Sequence, residues 1–352
     1  MPANAPVSVT VYTQPPEDLI TLLRTHHRPY ALPLLRRLGF TRFPGGITEH
    51  TRILFASAPG LSPRDHQKDT PFAAAYLDLS RGPETEIWLY TSVEALGAGT
   101  NPDPSHQIPT PTLTTTTTTT RSREEHVSAA AECAYQLLRE VKALREAFYA
   151  PGTAHAAVQR QEGLDLRPAR VLAGTVSEAT RVALTNRGVV FGYVAVYDKW
   201  MFRLGALPEV TSRFVKEGEK QGMEWGPVRR EDIPLMLSRT SIQRKERTVV
   251  LLPSMAVYKS DGTPIAWVLL GPDSSLSNLH CEEEWRGKGF AKAAAVKILR
   301  ERLKEFDDDE HCWADVAPDN PKSQRVCKSL GGKIAWSVSW SGIDLDASFP
   351  DR

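Results

Sequence analysis

Along the first hundred residues the apolar positions gather into three short runs, Arg52–Ser57, Phe72–Leu79 and Glu86–Thr91, rich in aliphatic and aromatic residues and expected as strands. Helical stretches are expected ahead of them, around Glu17–Arg24 and Tyr30–Leu38. Residues 97–122 break the pattern: Pro102, Pro104, Pro109, Pro111 and the run Thr114–Thr120 offer almost nothing to bury, so a mobile linker is expected there. Arg123–Phe148 contains neither Gly nor Pro and spaces Ala130, Cys133, Leu137, Val141 and Leu144 at three and four, the period of an amphipathic helix. Val189–Val196 follows as a strand and Glu209–Lys220 as a short polar helix.

From Met223 the succession tightens. Met223–Val228 reads as a strand and Glu231–Ser238 as a helix; then Thr248–Lys259 and Thr263–Leu270 are apolar runs joined by Ser260-Asp261-Gly262, a tight-turn sequence at a hairpin. A strand at Ser275–Cys281, a glycine-containing loop, a helix, a strand at Cys312–Val316, a second helix and the strands of Lys333–Asp344 complete the order. The expected fold is α/β (α+β). Residues 223–352 should form a mostly antiparallel mixed sheet flanked by helices, preceded by a mixed α/β domain, residues 1–222, that carries no catalytic signature. A length of 352 residues agrees with two domains.

Composition narrows the partners. Lys plus Arg (43) nearly cancels Asp plus Glu (42), so no whole-molecule positive field draws in nucleic acid or an anionic membrane, and a small-molecule partner is expected. Cys133, Cys281, Cys312 and Cys327 form no C-x-x-C pair, which argues against a disulfide framework and a zinc knuckle, and no metal is expected. No window approaches the length of a membrane span. The first twenty residues, with Glu17 and Asp18 and no Lys or Arg, resemble neither a secretory signal nor a transit peptide, so a cytoplasmic location is expected.

The segment Arg286-Gly287-Lys288-Gly289-Phe290-Ala291 lies between a strand and a helix whose Phe290, Ala294 and Ile298 form an apolar row. Two glycines let the backbone turn sharply and bring its N–H groups close to a ligand, the helix N-terminus adds partial positive charge, and Arg286 and Lys288 add full charges. The result is an anion cradle. Alone, the hexapeptide is equally a glycine-rich turn with solvated basic residues. In context it resembles the acetyl-CoA motif of the GNAT N-acetyltransferase superfamily, Gln/Arg-x-x-Gly-x-Gly/Ala, with Arg286, Gly289 and Ala291 at the fixed positions. Glu284 and Trp285 resemble that family's Pro-Glu-Tyr-Arg approach, with Glu283 in place of Pro and Trp285 in place of Tyr. The run from Asn320 to Gly332 resembles its second signature, Asn-x-x-Ser-x-x-Leu-Tyr-x-x-Leu-Gly-Phe, with Val326 and Cys327 replacing Leu and Tyr. The glycine-N-acyltransferase-like branch is similar in carrying a long N-terminal half.

The resemblance implies acetyl-CoA, or another acyl-CoA, as co-substrate. It implies that the strands at Ser275–Cys281 and Cys312–Val316 splay apart to admit the pantetheine arm. Contacts to CoA would come from Leu279, His280 and Cys281 on the strand, from Arg286, Gly287, Lys288, Gly289, Phe290 and Ala291 at the loop and helix start, and from Asn320 and Ser323. Asn320 is equally a helix N-cap ahead of Pro321.

An amine attacking a thioester must lose a proton, and the departing thiolate benefits from gaining one. The slots that often hold the family's base are Ser277, Ser275 and Asp273 here, which makes Asp273, or water relayed through Ser275 or Ser277, the candidate base. Asp273 follows Gly271-Pro272 and is equally a turn residue capping its own backbone. Strict alternation puts His280 on the face of Leu276 and Asn278, away from Ser275 and Ser277. Cys327, in the Tyr position, is the candidate acid or else a small buried hydrophobe. The expected function is transfer of an acyl group to a primary amine of a small molecule. A protein or peptide acetyltransferase and a non-catalytic acyl-CoA sensor are the alternatives.

Overall fold

The computed structural model describes residues 6–96, 117–155, 170–240, 242 and 244–350. Its elements come in the order β1 (Ser8–Tyr12), α1 (Glu17–His26), α2 (Leu32–Gly39), β2 (Thr51–Ser57), β3 (Ala73–Asp78), β4 (Ile87–Thr91), α3 (Thr117–Phe148), β5 (Arg170–Ser177), α4 (Glu178–Asn186) and β6 (Val190–Arg203). After α5 (Arg213–Lys220) come β7 (Glu224–Gly226), α6 (Ile233–Ser238), α7 (Glu246–Val249), β8 (Ser254–Tyr258), β9 (Pro264–Leu270), β10 (Leu276–Cys281), α8 (Phe290–Arg302), β11 (His311–Val316), α9 (Pro321–Ser329), β12 (Lys333–Asp344) and α10 (Leu345–Ser348). The succession β-α-α-β-β-β-α-β-α-β therefore occurs twice, from β1 to β6 and again from β7 to β12. No shared motif announces this repeat in the sequence.

The chain divides into two compact units that are interleaved in sequence, where the sequence alone suggested one division at 222. One unit comprises residues 1–38, 48–196 and 336–352, the other 39–47 and 197–335. In the first, β1 to β4 form an antiparallel succession, β4 meets β5 in parallel at Ile87↔Ala173 and Trp88↔Gly174, and β5 pairs antiparallel with β12 from Ser177↔Val338 to Arg170↔Asp344. The apolar stripe of α3, with Cys133, Leu137, Leu138 and Val141, buries against Leu54, Ala56, Ala73, Ala75 and Leu77 of the sheet.

The second unit holds an antiparallel sheet in the order β10-β9-β8-β7. Separately, β11 pairs with β6 from His311↔Arg203 to Val316↔Asp198. The last strand of each repeat is thus exchanged: β6 ends in the second unit and β12 in the first. The core of the second unit gathers Trp267, Val268, Leu269 and Leu270 of β9, Ala294, Ala295, Ile298 and Leu299 of α8, and Met236 of α6.

The expected α/β class and the C-terminal order of elements hold. Several boundaries differ. Thr248–Lys259 is not one strand: α7 ends at Val249, and Pro253, which has no N–H for a ladder, precedes β8. The helix expected from Glu209 begins at Arg213, and β6 runs on to Arg203 because its second half has β11 as partner. Thr117–Ser122, assigned to a linker by composition, opens α3, while residues 97–116 of that linker lie outside the described residues. Among the described residues no helix is long and apolar enough to cross a membrane. All four cysteines are free thiols.

Candidate functional site

The glycine loop takes the geometry its composition suggests. Gly287 and Gly289 adopt φ of +74° and +93°, values that favour glycine. A Cβ on Gly287 would meet nothing within 4 Å, whereas one on Gly289 would lie 2.9 Å from Ser212 Cβ. Ser212, which precedes α5, donates its hydroxyl to the Lys288 carbonyl and so braces the loop from outside the motif. Gly289 also sits at the N-cap of α8, so the first N–H groups of that thirteen-residue helix face outward with no intrahelical acceptor. Phe290 anchors the start of the helix in the core at 1% exposure, and Ala291 follows in its first turn. Arg286 is exposed and its Nε donates to the Cys281 carbonyl at 3.0 Å, while the Lys288 ammonium lies over the Trp285 ring at 4.7 Å. Open space beside Gly287, a helix N-terminus and two cations fit a pyrophosphate.

β10 is bonded to β9 and β11 to β6, each at the end of its strand order, so the two strands present open edges. β10 is also bulged. Its register runs Ser277↔Leu269 and then His280↔Trp267, leaving Asn278 and Leu279 opposite no single partner, with Asn278 in the left-handed region at φ +51°. Asn278 and Leu279 thereby fall out of the regular ladder register.

The bulge corrects the alternation argument for His280. Leu269 and Trp267 are two apart and point to one face, and residues opposed in an antiparallel ladder share a face. Ser277 and His280 therefore lie on the same side of β10, and Leu276 and Cys281, opposite Leu270 and Ala266, on the other. The imidazole of His280 stacks on Trp267 with centroids 4.6 Å apart, and its Nε2 is buried without a hydrogen-bond partner, 3.7 Å from Glu282 Oε2. Burial lowers its pKa, the Glu282 carboxylate opposing that shift. Glu282 in turn is bonded by Arg239 at 3.0 Å. On the same face, Arg244 donates to Ser277 Oγ at 2.9 Å, and Ser277 Oγ donates to Asn278 Oδ1 at 3.1 Å.

The other candidates occupy different settings. Asp273 is 2% exposed and its Oδ1 accepts from both the N–H and the hydroxyl of Ser275, closing the turn ahead of β10. Cys327 is 3% exposed in an apolar cluster with Trp200, Ala314, Val316 and Leu276. Burial, reinforced by the Asp315 carboxylate, pushes its thiol up to about 12. Burial likewise pushes Cys281 up to about 11. Asn320 caps α9, accepting from the Ser323 N–H at 3.1 Å. A cleft of about 590 Å³ lined by Phe43, Pro227, Ile233, Leu251 and Arg302 lies elsewhere, and no residue of β10 borders it.

Sequence reasoning found the loop, β10 and α9. It missed Ser212, Arg244 and Trp267, which reach the site only through the fold. The bulge had one sequence signal, an Asn in the middle of a strand.

Residues 6–203 match the family model described as acyl-CoA N-acyltransferase verG N-terminal domain, and residues 256–341 match that of FR47-like protein. No curated protein matches the sequence. Among solved structures, a Drosophila protein from a structural genomics programme is 13% identical with a TM-score of 0.55, covering 93% of this chain and 95% of its own. That similarity is one of fold. A tandem GNAT protein from the clavulanic acid biosynthesis pathway (10% identity, TM-score 0.47, 98% and 100% covered) and a GCN5-related N-acetyltransferase from Sphaerobacter thermophilus (10%, 0.42, 96% and 96%) are also similar. With the first of these family models matching more than half of its length, the chain belongs to the acyl-CoA N-acyltransferase verG N-terminal domain family.

Proposed function

We propose that the protein transfers an acetyl or longer acyl group from CoA to the primary amine of a small molecule, by direct attack in a ternary complex. The observation that carries this reading is the pair of open strand edges, β10 and β11, in the unit whose β10–α8 loop has the positive-φ glycines and cations that suit a pyrophosphate. An extended pantetheine arm adds to such an edge through main-chain hydrogen bonds. The bulged backbone at Asn278 and Leu279 offers donors for the negative charge that develops on the thioester oxygen during attack. The new C–N bond forms as the C–S bond breaks, and CoA leaves as its thiol.

Two sequence candidates take supporting roles in this proposal. Asp273 fixes the turn that launches β10. Cys327 forms an apolar wall beside β11, because a thiol held near 12 is roughly three units too weak an acid to protonate a departing thiolate efficiently. The cytoplasm, with its acyl-CoA supply and reducing poise, suits four free thiols.

The test is a panel of amines and amino acids offered with acetyl-CoA and longer acyl-CoA, followed by thiol release and by mass of the product. Acceptor-dependent thiol release with one acyl group added to the amine is expected. Retained acyl-CoA binding with no acceptor-dependent release from any member overturns the transferase reading and leaves a binding protein.

A further inference from the structure

We propose that His280 is the residue that takes the proton from the attacking amine. The inference rests on the acyl-transfer reading above and identifies the catalytic base of that site. Three geometric observations carry it. The one-residue bulge at Asn278–Leu279 turns His280 onto the face of Ser277, the face that also receives Arg244. Stacking on Trp267, itself 2% exposed, fixes the plane of the imidazole. Its Nε2 is buried with no hydrogen-bond partner, while 17% of the side chain stays exposed at the other atoms of the residue.

The surroundings suit a neutral base that becomes transiently charged. Trp267 and burial favour the neutral ring, and Arg239 and Arg286 act in the same direction. Glu282, 3.7 Å away, favours the protonated ring, so imidazolium formed during the reaction has a counter-ion beside it. Ser277 and the Arg244 guanidinium complete the polar groups around it on that face. Proton bookkeeping closes with this one residue. The nitrogen bonds to the thioester carbon and its proton passes to the imidazole. The C–S bond breaks, and the imidazolium, a stronger acid than a thiol of pKa near 8.5, returns the proton to the CoA thiolate through solvent.

The experiment uses the full chain and the best acceptor of the panel. In wild type, kcat/KM should rise with pH along an acid limb whose midpoint lies below 6.5, because burial lowers the His280 pKa. His280→Gln, which keeps a planar polar group over Trp267, should retain the acetyl-CoA-induced rise in Tm and lose about 10²- to 10⁴-fold in kcat/KM. It should also lose the acid limb. A variant with wild-type kcat/KM and an unchanged limb overturns the assignment, and so does a wild-type profile without any limb below 6.5, a result that needs no variant. Absence of acceptor-dependent turnover in wild type instead defeats the transferase reading, and this inference with it.

Discussion

Replacing each glycine of the loop by alanine separates backbone strain from crowding. Gly287 and Gly289 both adopt positive φ, which costs a residue with a Cβ about 1–2 kcal/mol. At Gly287 nothing lies within 4 Å of the added methyl, so that cost is the whole effect. At Gly289 the methyl would meet Ser212 Cβ at 2.9 Å and Oγ at 3.1 Å. Ser212 must move and release the Lys288 carbonyl, a loss of about 1 kcal/mol for one hydrogen bond. Gly289→Ala should therefore cost about 2–3 kcal/mol, against about 1–2 for Gly287→Ala. In a unit of this size one kcal/mol moves Tm by about 3 °C, so the two variants should differ by about that much. Thermal denaturation without and with acetyl-CoA is the assay. The ligand-induced shift should fall further in Gly289→Ala, whose loop is displaced. Equal melting of the two variants, or a lower Tm for Gly287→Ala, would refute the bracing role given to Ser212.

Charge reversal by Arg286→Glu places repulsion at the pyrophosphate and should remove most of the acetyl-CoA-induced rise in Tm; an unchanged rise would contradict the cradle. Cys327→Ser keeps size but buries a hydroxyl in an apolar cluster, at a cost of about 1–3 kcal/mol, while kcat at a temperature where it stays folded should be near wild type; a collapse of kcat with normal folding would restore Cys327 as an acid. Acid should weaken the first unit through His27, fully buried and bonded to the Tyr90 hydroxyl, whose pKa burial lowers to about 3. A lowered histidine pKa supplies stability that is present above the unfolded value of 6.5 and is lost as pH falls, so about 2 kcal/mol should be gone by pH 5. Urea midpoints at pH 7 and pH 5 read this directly, and His27→Phe should reduce the difference.

What was legible in the sequence is what local chemistry encodes. Gly287 and Gly289 announced left-handed backbone, Asn320-Pro321 announced a helix start, and the three- and four-residue spacing around Leu137 announced α3. What was hidden depends on partners far along the chain. β1 and β5 carried no pattern strong enough to be singled out, and β6 looked short because the half beyond Val196 is stabilised by β11. The repeat escaped notice because matched positions in its two copies keep the order of elements and not their residues. His280 was misplaced by strict alternation, which holds only for an unbroken ladder; one extra residue at Asn278 reverses it for everything beyond.

The exchange of closing strands bears on how the molecule is made. When synthesis has passed Arg203, every element of the first repeat exists and β5 has β4 beside it, yet β5 still lacks its second neighbour, which is not translated until residues 338–344. Conversely, β11 finds β6 already waiting, more than a hundred residues upstream. The nascent first unit must therefore hold an unmatched edge through most of elongation and can close only as the last strand appears, so the two units reach completion together and not in turn. A cut at residue 222 would leave β11 without β6, and a fragment ending at residue 203 would leave β5 without β12.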